Sequence, residues 1–93
     1  MNYKFIGWCK EDNHDKVWGA INIGDGKVLT VWGRRGAKLQ TKVVYDNWDL
    51  TKLIRKKENS KGYKSIEKYE LDEVYPEFEA DLEKTAMWAT LKL

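Results

Sequence analysis

Proline, cysteine and histidine each occur once in the 93 residues. With a single proline there is little to interrupt regular structure, and 42% hydrophobic residues beside 34% charged ones predict an ordered chain rather than a disordered one. Cys9 has no internal disulfide partner and lies in a strand-like run, where a small buried thiol is expected. His14, flanked by Asp12 and Asp15, reads as a solvated turn residue; a histidine-based zinc site or a catalytic triad lacks its parts. No apolar run approaches the roughly 18 residues a membrane span requires. Met1-Asn2-Tyr3-Lys4 does not lead into a signal-peptide core, so a cytoplasmic location is expected. A phosphate loop is also missing, because Gly24-Asp25-Gly26-Lys27 lacks the Walker spacing and precedes a strand. Glu77, Glu79, Asp81 and Glu83 spread around a helix as a solvated face. These absences predict a non-enzyme with no catalytic residue, cofactor or metal.

The length allows one domain, residues 1–93, with a modest core. Its expected class is α+β: an antiparallel sheet of four to five strands, one helix packed across it, and a second helix near the C-terminus. Tyr3 to Cys9 and Lys16 to Ile23 read as strands separated by a polar loop at Lys10 to Asp15, and Gly24-Asp25-Gly26 turns the chain into Lys27 to Trp32. Leu29 and Val31 share one face, and Val28, Thr30 and Trp32 the other. Leu39 to Tyr45 is a fourth strand. Asp46 or Asn47 can then cap a helix carrying Leu50, Leu53, Ile54 and the stem of Lys57 on one face, which Gly62 ends. Tyr63 to Tyr69 reads as a fifth strand. From Pro76, Phe78, Leu82, Ala86 and Ala89 fall at helical spacing, although residues 85–93 also alternate as a strand does.

Charge is segregated along the chain. Gly26 to Tyr45 holds five basic residues and no acid, Lys52 to Lys68 holds seven basic residues against two acids, and Glu70 to Lys84 reverses this with seven acids and one lysine. A net charge of +2 therefore conceals a basic middle that can form one positive face.

Within that middle lies Val31-Trp32-Gly33-Arg34-Arg35-Gly36, a strand expected to open into a turn at Gly33 and Gly36 on a sheet rim. An indole can stack on a base or sugar while a guanidinium forks onto phosphate oxygens. Trp32-Gly33-Arg34 resembles the signature of the WGR domain family. Gly36, the strand at Gln40-Thr41-Lys42 and the helix close at Lys61-Gly62-Tyr63 follow in the family's order, so the resemblance runs from about Phe5 to Tyr69 within a core of residues 3–69. Residues 70–93 form an acidic extension. The chain departs from the family at Leu39, where a second glycine is usual, and at Thr51 and Ile54.

The resemblance implies a module that binds DNA near strand ends or breaks, with Trp32 packed against the terminal nucleotide and Arg34 at the contact surface. Gly33 belongs to the same turn, and Arg35, Lys38, Gln40 and Lys42 follow where phosphate contacts are natural. The alternative is a protein-interaction module that docks onto a partner without touching DNA. Neither the oligomeric state nor the nucleic-acid form follows from the sequence.

Overall fold

The computed structural model describes residues 1–11 and 14–85. Five strands form one antiparallel sheet, in the order β4-β3-β2-β1-β5. They are β1 (Tyr3–Glu11), β2 (His14–Gly24), β3 (Lys27–Arg34), β4 (Gln40–Tyr45) and the short β5 (Lys64–Ser65). Among the described residues three helices accompany the sheet: α1 (Trp48–Ser60), α2 (Lys68–Val74) and α3 (Phe78–Glu83). The α+β class expected from the sequence is what the chain adopts.

Side chains alternate across a strand, and here both faces of the sheet are buried. Ile6, Val17, Ile21, Leu29 and Val31 pack against Leu71, Tyr75, Phe78 and Leu82 from α2 and α3. On the other face Cys9, Trp18, Ala20 and Val28 pack with Leu50 of α1 and with Tyr63, flanked by Phe5, Trp32, Val44, Leu53 and Ile54. The sheet is thus the middle of three layers. Cys9 is buried, as expected of a structural thiol.

Local chemistry places the elements. The side chain of Asn47 caps α1, its Oδ1 accepting from the amides of Asp49 at 3.0 Å and Leu50 at 3.3 Å. Gly62 follows the helix with φ of 72°, the left-handed conformation that glycine adopts without penalty.

Four expectations change. The polar stretch Lys10 to Asp15 is mostly strand, because β1 and β2 stay paired out to Glu11 and His14. The strand through Trp32 does not turn at Gly33: Gly33 and Arg34 remain paired with Val17 and Lys16 of the lengthened β2, and the turn begins at Arg35. Tyr63 to Tyr69 is not one strand, since only Lys64 and Ser65 pair with β1 and Lys68 already begins α2. Its start was legible in the Glu67-x-x-Glu70 spacing, where the Glu67 amide donates to Glu70 Oε1 at 3.5 Å. Finally, the helix expected from Pro76 begins at Phe78; Ala86, Ala89 and the helix-or-strand question over residues 86–93 lie outside the described residues.

Candidate nucleic-acid interface

At the end of the sheet where β2 begins and β3 ends, an open groove is lined by Lys16, Trp32, Gly33, Arg34, Ala37, Lys38, Gln40, Lys57, Lys61 and Tyr63. Strand alternation builds its floor. Trp18, Trp32 and Gln40 sit opposite one another on β2, β3 and β4, which puts the partly buried Trp32 between the buried Trp18 and the exposed Gln40. Arg34, two residues beyond Trp32, falls on the same face by the same alternation. Gly33 has a φ of 155°, which other residues rarely adopt, and a β-carbon there would also crowd Leu39 Cδ2 at 3.1 Å. Leu39 is buried and holds the start of β4 against that glycine.

Five cations line the groove and no acid does. Among the described residues none of the five is engaged in a salt bridge. Two stand on aromatic rings, the Lys57 ammonium 5.9 Å from the Trp18 ring centroid and that of Lys16 5.7 Å from Tyr63. Burial lowers the pKa of Lys57, and the neighbouring charges of Lys61, Lys56 and Lys16 lower it further. Burial raises that of the Tyr63 phenol, so its hydroxyl keeps its proton at neutral pH. Cations that share one lining with no acid in it favour an anion between them.

Of the residues expected from the sequence, Trp32, Gly33, Arg34, Lys38 and Gln40 come together here. Arg35 and Lys42 do not. Lys42 is exposed on β4, two residues along from Gln40 on the same face and outside the groove lining. Arg35 points to the opposite side, where it pairs with Asp15 at 2.6 Å and donates to the Val74 carbonyl at 2.7 Å. In their place the fold supplies Lys16, Lys57, Lys61 and Tyr63. Lys57 and Lys61 carried a signal in the sequence, as cations at a helix C-terminus, but that pattern serves the helix dipole equally well. Lys16 carried none. Compared with known proteins, the chain matches no family model, no curated protein and no solved structure.

Proposed function

We propose that the chain is a WGR-type module that binds DNA near a strand end or break, seating it in the groove between the Arg34–Lys38 turn and the last turns of α1. The observation that carries this is the convergence of Lys16, Arg34, Lys38, Lys57 and Lys61 around Trp32, with no acid among the lining residues. Lysines and arginines hold phosphates without regard to sequence, and the indole offers a terminal base or sugar a surface to pack on. A mobility-shift comparison of a short nicked or blunt duplex with a closed circle tests the reading. If three to five phosphates are neutralised, log K is expected to fall against log salt with a slope of about −3 to −4.5. An affinity indifferent to salt counts against it.

Binding should also depend on pH through Lys57. Its pKa is lowered in the free protein, and a phosphate beside it restores the charged form, so complex formation takes up a proton. Affinity is therefore expected to decline as pH rises through the depressed pKa, before ordinary lysines titrate. Lys57→Arg should remove that early decline, since arginine stays charged. Identical pH profiles for parent and variant place Lys57 outside the contact.

One feature favours protein docking as a second reading. Tyr45 and Trp48 are 67% and 58% exposed, and Tyr45 borders a hollow with Val44, Leu50 and Leu53 at the start of α1. A partner protein seated there leaves the basic groove free, so groove variants separate the two readings.

A further inference from the structure

Arg35 has no side-chain contact with the groove, yet it ties together three parts of the chain. Its Nη2 meets Asp15 Oδ2 at 2.6 Å and its Nη1 donates to the carbonyl of Val74, in the last turn of α2, at 2.7 Å. The second oxygen of Asp15 accepts from Trp8 Nε1 at 3.0 Å, and the Asp15 carbonyl accepts from the Arg35 amide at 3.0 Å. One residue on, the Gly36 amide donates to the Tyr75 hydroxyl at 3.5 Å, and that hydroxyl donates to Asp81 of α3. Burial and the Asp81 hydrogen bond push the Tyr75 phenol up to about 12, so it remains a donor.

We propose that Arg35 is a positioning residue: with Asp15 and Tyr75 it locks the turn after β3 onto the α2–α3 layer, and thereby holds Arg34 and Lys38 at the groove on the other face. A guanidinium already shared between a carboxylate and a carbonyl has to leave both to reach a phosphate. Apart from these contacts and the buried Leu39 at its end, the turn is exposed. Gly36 and Lys38 are exposed, and inside the turn the Ala37 amide bonds only to the Arg34 carbonyl, at 3.1 Å. Asp15, although acidic, therefore supports the binding of an anion. The inference rests on the DNA-binding reading and deepens it, because it places a determinant of that binding on the face opposite the groove.

Asp15→Asn discriminates between the alternatives, since it keeps the shape of Asp15 and removes its charge. If Arg35 were itself a phosphate contact, releasing it from Asp15 and deleting a nearby negative charge would leave binding unchanged or tighter. The lock demands the reverse. Asp15→Asn and Arg35→Ala are each expected to weaken binding to a nicked duplex about five- to tenfold, and the double variant by no more than either alone. The salt slope should stay that of the parent in both, whereas Arg34→Ala should lower it by about one. Tighter binding by Asp15→Asn, or a reduced slope in Arg35→Ala, overturns the proposal.

Amide hydrogen exchange provides a readout that needs no DNA. Exchange at Arg35, Gly36 and Ala37 is expected to quicken at least tenfold in Arg35→Ala and Asp15→Asn but not in Arg34→Ala, with melting temperatures measured alongside. Unchanged exchange overturns the lock even if the parent binds DNA. Quickened exchange in the two variants, with a parent that does not bind DNA, supports the lock and removes the binding reading alone.

Discussion

Trp32→Ala is expected to weaken binding to DNA ends ten- to a hundredfold while leaving binding to a closed circle almost intact. Within a duplex each base is stacked on both sides, so a groove indole finds no broad apolar surface; a terminus exposes one. Packing the last base or sugar there contributes about 1 to 3 kcal/mol, as aromatic stacking on bases does generally. On the DNA-binding reading, phosphate contacts from Lys16, Arg34, Lys38, Lys57 and Lys61 should be nearly the same on both DNAs, so the salt slope should barely move. The usual confounder is unfolding, because truncating a core tryptophan costs about 3 to 5 kcal/mol. Trp32 is only partly buried, beside a Trp18 that is 3% exposed, and should cost less than that. Melting curves for both proteins come first. A folded Trp32→Ala variant that prefers ends as strongly as the parent removes Trp32 from the site.

Phe78→Ala should have the largest effect on stability, a loss of about 3 to 5 kcal/mol. Phe78 is 1% exposed and meets Tyr75 edge-on at 5.6 Å between ring centroids, and its Cζ lies 3.9 Å from where a β-carbon on Gly19 would stand. The ring packs over the side-chain-free Gly19 together with Val31, whose Cγ1 lies 3.3 Å from the same point, and alanine cannot replace it. At about 4 to 8 °C per kcal/mol for a domain of this size, the melting temperature should drop by more than about 12 °C. Chemical denaturation checks the energy directly. A loss below about 1 kcal/mol would mean that α3 contributes little to the core. Because α2 and α3 also hold the turn beside the groove, a Phe78→Ala protein that still folds is expected to bind DNA more weakly.

Much of this architecture follows from short-range pattern. Period-two alternation marks β2, β3 and β4, Asn47 and Gly62 bound α1, and Leu50, Leu53 and Ile54 select the face it buries. The harder case was Tyr63 to Tyr69. Aromatic and β-branched residues favour a strand there, and Lys64 and Ser65 do pair with β1, but α2 takes the chain from Lys68 so that Leu71 and Tyr75 reach the far side of the sheet. Burial of an apolar face outweighed local propensity. The second apolar layer was therefore underestimated from the sequence, and with it the clamp on Arg35.

By itself the sequence determined the α+β class, the strand carrying Trp32, the cap and stop of α1, and the split between a basic middle and an acidic end. Each depends on residues within a few positions of one another, where side-chain periodicity and backbone preference act directly. Only the tertiary structure decided which cations share a site. Lys16, Lys57 and Lys61 lie far from Trp32 along the chain and meet it because β2 pairs with β3 and α1 crosses the same face. The adjacent arginines show the same division. β3 stays paired with β2 through Arg34, so alternation leaves Arg34 on the groove face, while Arg35 turns to Asp15 and α2 on the other. How far a strand continues is set by the length of its partner, and that cannot be read from the strand's own residues.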